Sequence, residues 1–489
     1  MNYYSKNKRI RVIVLLLLLL LAVAVTAPRI AAKADEGAKK IYTAEDMLKI
    51  ADDSSADYIL MSDINMKDVT WKPVDFRGTF DGNGYAILNL KVTETSDNIR
   101  TTYDGNYKEY DTYFAGLFGI LEGSTVKNLT LKGLDVEVTK DAPCFTGTIA
   151  GFAEDSNIEN CDIEGTVRLD ANSKCFGVGG IVGYGGKGAI LETDTDITLI
   201  CIDHDKENRD EQFLGGGYAA GYLDVDKCNI KIDGYDSDHG YVHNGGLVGM
   251  YILYPQGTVY EGYINNTYVE GIITFFEDNT DRRAYCKDFC GEVMQWTYEF
   301  VGCSSAFTPN EIFDYSKDLL PHDCSGDNYT SKVIEPTCDE FGYTEYSCNE
   351  CNDYTYIADY TLKNHTVDEW SVISETPDEI NYEKVCLEEG KCSKCGATVY
   401  RQTRVAAEET TEEATAEDKA DKTDKDSKKT PSDKKESSGK GVLTVTIVII
   451  IILVILIIIV MAYLNKVKKE RERRARKYNK ARRTRHTPR

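Results

Sequence analysis

The chain has 489 residues, with 80 Asp and Glu against 57 Lys and Arg, a formal net charge of −23, 15 cysteines and 10 prolines. Its basic residues crowd the two ends: six with no acid in 1–34, and thirteen against two Glu from Lys466 to Arg489, which leaves the part between near about −40. Acidity on that scale excludes DNA or RNA as a partner of the central part, and no nucleic-acid partner is expected.

In chain order, Met1 to Arg11 carries Lys6, Lys8, Arg9 and Arg11, Val12 to Ala27 is a nearly unbroken apolar run, and Ala32-Lys33-Ala34 is a small-x-small site before Asp35. Those parts in that order predict a secretory signal peptide over 1–34, with an uncleaved anchor as the alternative. Thr43 with Asp46 suits a helix N-cap, and Met47, Leu48, Ile50 and Ala51 share one helical face. A short helix there is expected to cap the first coil of the following repeat, so 35–110 reads as an N-terminal cap and first coils. Asp81-Gly82-Asn83-Gly84 reads as a tight turn rather than a cation loop.

Over 111–305 one phrase keeps returning: Ala115-Gly116-Leu117-Phe118-Gly119, Gly147-Thr148-Ile149-Ala150-Gly151, Gly179-Gly180-Ile181-Val182-Gly183, Gly217-Tyr218-Ala219-Ala220-Gly221 and Gly245-Gly246-Leu247-Val248-Gly249. Short alternating runs such as Val126/Leu129/Leu131 and Ile158/Cys161/Ile163 follow the first two. The runs are too short for helices, and recurrence roughly every 30 residues predicts a solenoid of short strands joined by glycine corners. Leu117, Ile149, Ile181, Ala219 and Leu247 are expected to form one inward ladder, and Asn128, Asn160 and Asn266 an amide ladder at a turn. The expected fold class is therefore all-β.

These phrases, with their Asn-centred strands and the preceding run from Tyr58 to Tyr85, resemble the GLUG repeats of bacterial surface proteins. The resemblance covers about half of the chain and implies a right-handed parallel β-helix. It says little about function, because such repeats accompany adhesins, proteases and uncharacterised proteins.

Polar insertions are expected at Glu94 to Tyr113, Glu192 to Phe213, Asp233 to His243 and Tyr251 to Tyr263. On a solenoid such insertions commonly form the binding face, and exposed tyrosines offer flat contact area for sugar or peptide. The candidate ligand-binding residues are Tyr103, Tyr107, Tyr110, Tyr235, Tyr241 and Tyr254, against the plainer reading that half of these rings pack on the coils. Acid groups such as Asp194/Asp196, Asp203/Asp205 and Asp233/Asp236/Asp238 with His239 leave a glycoside hydrolase or lyase as the one enzymatic alternative. There is no His-Glu-x-x-His, nucleophile elbow or phosphate loop, so the chain is not expected to be an enzyme.

Cys286, Cys290 and Cys303 are expected to close the far end of the solenoid as disulfides or packed thiols. A Cys-rich module follows over 306–402: Pro336-Thr337-Cys338, Cys348-Asn349-Glu350-Cys351, His365 ahead of Trp370, then Cys386 and Cys392-Ser393-Lys394-Cys395-Gly396. It resembles a small repeated Cys-x-x-Cys module of surface proteins from Gram-positive anaerobes; the second copy lacks the Pro-Thr-Cys entry and the His. A structural Zn²⁺ would find a closed site in Cys338, Cys348, Cys351 and His365, or a four-thiolate site in Cys348/Cys351 with Cys392/Cys395. Cys386, which opens the second copy, is a further candidate ligand, and disulfides are the competing reading.

Residues 403–441 hold Ala, Glu, Asp, Lys, Thr and Ser and almost nothing to bury, which predicts a disordered stalk. Val442 to Leu464 is an uncharged run reaching about 34 Å as a helix, enough to cross a bilayer. The basic residues of 465–489 place that tail in the cytoplasm, against anionic lipid. The expected molecule is a single-pass type I protein of the cell membrane, with most of its chain extracellular, in a Gram-positive bacterium. Its expected role is recognition or adhesion through an extracellular glycan or protein ligand; an envelope spacer is the alternative.

Overall fold

The computed structural model describes residues 37–203, 211–236, 241–251, 263–275, 286–293, 299–312, 329–349, 355–378 and 383–406. The predicted signal peptide, span and tail lie outside them, as does the stalk beyond 406, whose first residues 403–406 are instead the end of the strand Thr398–Ala406; Tyr254, Cys351 and the side chain of Tyr241 are outside as well. Among the described residues no helix is long and apolar enough to cross a membrane.

The chain winds as a parallel β-solenoid of right-handed type, its four sheets seven to nine strands deep among the described residues. One coil shows the plan: Thr125–Lys127, Thr130–Lys140, Cys144–Thr146 and Ala150–Glu154 contribute one strand each to four sheets. The next coil stacks on it in parallel, Val126 on Ile158, Leu131 on Ile163, Phe145 on Gly177 and Phe152 on Tyr184. A β-solenoid of this kind satisfies its backbone between coils and its apolar side chains within them.

The corner between the first and second sheets is the most demanding point of the coil. Asn128, Asn160, Glu192, Lys227, Asn266 and Gly302 occupy it in successive coils, with φ of 53°, 52°, 49°, 57°, 48° and 72°. Left-handed backbone favours Gly and Asn, which explains four of the six. The amide ladder is shorter than expected. Asn160 Nδ2 donates to Asn128 Oδ1 at 2.8 Å and Asn128 Nδ2 to Asp81 Oδ1 at 2.9 Å, but the next two rungs are the ion pair Lys227–Glu192 at 2.7 Å. Asn266 donates instead to Asp226 Oδ1 at 2.9 Å.

One residue on, Cys161, Thr193, Cys228, Thr267 and Cys303 each hook back to the carbonyl two residues earlier. Thiol and hydroxyl alternate in one role there. Burial pushes the Cys161 and Cys228 thiols up to about 12, so they stay neutral. Cys303 is a packed thiol of this column, donating to the Ile264 carbonyl at 3.4 Å, and Cys290 is buried.

The glycine phrase joins the third and fourth sheets. A Cβ on Gly151 would lie 2.4 Å from the Ala115 nitrogen, and one on Gly183 2.6 Å from the Gly151 oxygen and 2.8 Å from Phe145 Cβ. The two sheets therefore touch backbone to backbone across neighbouring coils, and at these two positions glycine fits without displacing backbone. Leu117, Ile149, Ile181 and Leu247 are buried in the main core as expected. Ala219 is not on that ladder. Gly179 pairs with Gly215 and Tyr218 with Val248, so Gly217 takes the inward rung and Ala219 stands at the second glycine position, in a separate core. Gly215-Gly216-Gly217 offers several frames without an apolar residue to choose among them.

That separate core fills the angle between the outer faces of the third and fourth sheets. Phe114 meets Phe152 at 5.1 Å, Phe145 meets Tyr184 at 5.3 Å and Phe213 at 5.8 Å. A hairpin of Arg100–Tyr103 and Glu109–Ala115 adds Tyr103 to it, with Tyr107 and Tyr110 packed alongside. Parts of the predicted insertions are strand: Asp194–Asp203 pairs along Asp162–Ala171, and Asp233 lies within Asn229–Asp236, while 204–210, 237–240 and 252–262 lie outside the described residues. At the other end of the chain, Thr43 Oγ1 accepts from the Asp46 nitrogen at 3.2 Å to start the helix Ala44–Leu48, and Met47 and Ile50 are buried in the main core.

The Cys-rich part makes two antiparallel sheets of three strands. The first holds Tyr329–Ile334, Gly342–Cys348 and Thr355–Thr361, and the second Val367–Asp378, Glu383–Cys392 and Thr398–Ala406. The first docks on the early coils: Tyr360 packs on Ala86 and Leu88, its nitrogen donates to Asn89 Oδ1 at 2.9 Å, and Asn89 Nδ2 returns a bond to its carbonyl at 2.7 Å.

Two substitutions test the corner and the glycine contact. Gly183→Ala should lower the unfolding free energy by about 2 kcal/mol or more, because backbone rather than a flexible side chain must move. Glu192→Asn should raise it slightly, by about 0.5 kcal/mol, as relief of left-handed strain offsets loss of an exposed ion pair. Denaturant melts of both variants check the signs.

Candidate metal centre and the adjoining cleft

Strand length decides which cysteines meet. Gly342–Cys348 runs away from Cys338, and at about 3.3 Å per residue it carries Cys348 some 20 Å off. The antiparallel partner Thr355–Thr361 then returns the chain, pairing Thr361 with Gly342. The Asn364 nitrogen donates to the Thr337 oxygen at 2.9 Å, so His365 arrives beside Cys338. In the second sheet Val367 pairs with Cys392, which brings the Cys392–Cys395 turn to the same place.

The result is one cluster of Cys338, His365, Cys392 and Cys395, whose ligand atoms lie within 4.8 Å of one another and could hold a metal ion. Cys338 Sγ is 3.6 Å from Cys392 Sγ, and Cys395 Sγ 3.5 Å from His365 Nδ1. A zinc tetrahedron with Zn–S bonds of about 2.3 Å has edges of about 3.8 Å, so the two short contacts match it and a spacing at the 4.8 Å limit would need to close by only about 1 Å. The Cys392-Ser393-Lys394-Cys395-Gly396 turn is closed by Gly396 nitrogen to Cys392 oxygen at 2.8 Å, with Gly396 at φ 76°. The backbone amides of Cys395 and then Lys394 point at the Cys392 sulfur and hold its thiol down to about 5, ready to bind as thiolate. Desolvation, then the neighbouring sulfurs, push Cys338 up to about 11.

This corrects the expected ligand sets. Cys348 is 2% exposed at the far end of its strand, and Cys386 is 6% exposed between Glu375 and Thr403; neither joins the cluster. The clustered cysteines are not disulfide-bonded.

His365 and Cys395 also line a cleft of about 890 Å³ between the Cys-rich sheets and the first coils. Tyr42, Tyr85 and Tyr400 are half-buried in its walls, with Asn83, Lys363, Arg401 and Gln402 among its polar residues. Tyr42 and Tyr400 meet edge to face at 5.1 Å across it. Burial raises the pKa of both phenols, Tyr400's carboxylate neighbour Glu389 adding to the effect. Asp63 takes the Ala86 amide at 2.9 Å and lies 3.5 Å from Lys363. No sequence signal marked these residues, since the tyrosines stand singly on elements far apart in the chain.

Of the tyrosines expected to bind a ligand, the four whose side chains are described lie elsewhere and are packed or hydrogen-bonded. Tyr103 is 9% exposed, Tyr110 donates to Asp104 Oδ2 at 3.0 Å beneath Lys108, and Tyr107 packs beside them. Tyr235 donates to Asp233 Oδ2 at 3.1 Å. The acid pair Asp194 and Asp196 is engaged between coils, by Asn229 at 2.7 Å and Lys231 at 2.6 Å.

No protein-family model matches the chain, and no curated protein matches it. A solved structure described as an IgA1 protease is similar at 18% identity, with a TM-score of 0.37, over 58% of this chain and 21% of that one. The chain thus corresponds to about a fifth of that protein's length, and nothing of its activity transfers at such likeness.

Metal content tests the cluster directly. Cys392→Ser and Cys395→Ser should each lower zinc by one equivalent per chain against the unchanged protein, whereas Cys386→Ser should not, as read by elemental analysis after dialysis.

Proposed function

We propose that the protein is a non-catalytic recognition protein of the cell surface, exported by its leader and held in the membrane by residues 442–464. Its bulk is extracellular, its basic tail lies against anionic lipid in the cytoplasm of a Gram-positive bacterium, and one Zn²⁺ ties together the Cys-rich sheets. The ligand is an envelope or host glycan, or a protein segment, held in the cleft rather than on the solenoid insertions.

The cleft carries this reading. Three tyrosine rings with amides and a guanidinium around them, in a concavity of about 890 Å³, match what sugar rings or an extended peptide need: flat apolar faces and a few fixed polar groups. Arg401 is already ordered, stacked 4.2 Å over Trp370 and bonded to Glu388 at 2.5 Å, so it adds little entropy cost on binding.

A spacer without a ligand is the second reading, favoured by the outer surface of the coils. Lys132 pairs with Glu164 at 3.0 Å, Lys231 with Asp196 at 2.6 Å and Lys227 with Glu192 at 2.7 Å, so much of that surface satisfies itself from coil to coil.

Glycan and protein arrays probed with the full-length protein in detergent separate the two. Tyr85→Ala or Tyr400→Ala should weaken any saturable ligand by about 10- to 100-fold, with Tyr235→Ala within about twofold of the unchanged protein. Loss confined to the Tyr235 variant contradicts the cleft, and silence on both arrays supports the spacer.

A further inference from the structure

The two Cys-rich sheets are held very differently. The first is tied to the solenoid by the Tyr360–Asn89 pair, by Tyr360 on Glu164, by Lys67–Asp359 at 2.7 Å and by Lys363–Asp63 at 3.5 Å. The second touches the coils through the ring of Tyr400 on Tyr42. It has almost no core: the buried hydrophobic side chains among its described residues are Cys386 and Cys392, while Val372, Ile373 and Val405 are 50%, 43% and 52% exposed. A three-stranded sheet without an apolar face is not stable alone.

What joins the second sheet to the first is the cluster. Cys338 and His365 flank the first sheet, and Cys392 and Cys395 belong to the second. Around them the backbone adds Asn364 to Thr337 at 2.9 Å and Ser393 to Thr366 at 2.8 Å. The second sheet also supplies one side of the cleft, Thr398, Val399, Tyr400, Arg401 and Gln402.

We infer that a metal ion at Cys338, His365, Cys392 and Cys395 is the clasp that orders the second sheet and thereby builds or removes one wall of the cleft. Metal binding energy becomes folding energy for this sheet, since the solenoid has a continuous core and the first sheet is docked on it through Tyr360 and its polar ties. Ligand binding is then metal-dependent although no ligand need touch the metal; this last step rests on the cleft being the ligand site.

Hydrogen exchange on the full-length protein in detergent tests the clasp, using zinc-loaded, chelator-stripped and zinc-restored samples whose metal content is measured. Stripping should speed exchange over 384–392 and 398–405 by about tenfold or more, leave 130–140 and 342–347 unchanged, and be reversed by Zn²⁺. Cys392→Ser should match the stripped state even with zinc present, and Cys386→Ser should stay protected. Unchanged protection over 398–405 after verified metal loss overturns the inference, as does equal loss over 130–140. Array binding on the same samples separates the two ideas: a freed sheet with binding lost supports both, and a freed sheet with binding retained supports the clasp while overturning the cleft.

Discussion

Six successive coils of this solenoid turn left-handed at the same point, and the rest of the fold follows from that alignment. Parallel stacking leaves no freedom of register, because a slip of one residue would turn each apolar side chain outward. Asn128 and Asn160 meet the demand with amides that bond to each other. Glu192 and Lys227 meet it under strain, and compensate in part by pairing across coils. With the corner fixed, the hook residues Cys161, Thr193 and Cys228 fall into one column, and the strands beyond them are delivered in phase to the glycine contacts of the third and fourth sheets.

The same alignment creates the docking surface for the Cys-rich part. Ala86, Leu88 and Asn89 face outward on the second sheet of an early coil, an apolar patch with one amide that Tyr360 covers and satisfies. Gly133 in the next coil has no side chain to obstruct it: a Cβ there would stand 2.9 Å from the Tyr360 ring. The solenoid thus specifies where the first sheet sits, the first sheet presents Cys338 and His365, and those two ligands determine where the second sheet can be held. Stability declines along that series, from a continuous core to a sheet that depends on four ligand atoms. An element at the low end of such a series is the natural place for a condition-dependent change.

How far this was legible in the sequence differs between the two halves. The solenoid announces itself because glycine contacts recur at a near-constant interval, with Ala219 standing in that column in one copy; the one misframed copy is the place where three glycines in a row remove the apolar marker. The cluster was half legible. Cys392-x-x-Cys395 with the following Gly396 has the form of a metal-binding turn, and His365 and Cys338 were visible as donors. Their combination was not, because it depends on antiparallel register: the hairpin that takes Cys348 away brings His365 back, and the pairing of Val367 with Cys392 adds the second copy's turn. The tyrosines of the two places differ in how the sequence displays them. Tyr103, Tyr107 and Tyr110 are dense in sequence because they pack together on the outer core, whereas Tyr42, Tyr85 and Tyr400 converge only through the fold.

The central claim is that one metal ion joins the two Cys-rich sheets across the cleft. Anomalous scattering at the zinc edge, from crystals of the intact protein, addresses it most directly. The account predicts a peak at bonding distance from Cys338, His365, Cys392 and Cys395 together, about 2.3 Å from each sulfur and about 2.0 Å from the imidazole nitrogen. Continuous density between Cys338 and Cys392 at disulfide length, with no peak among the four, would contradict it.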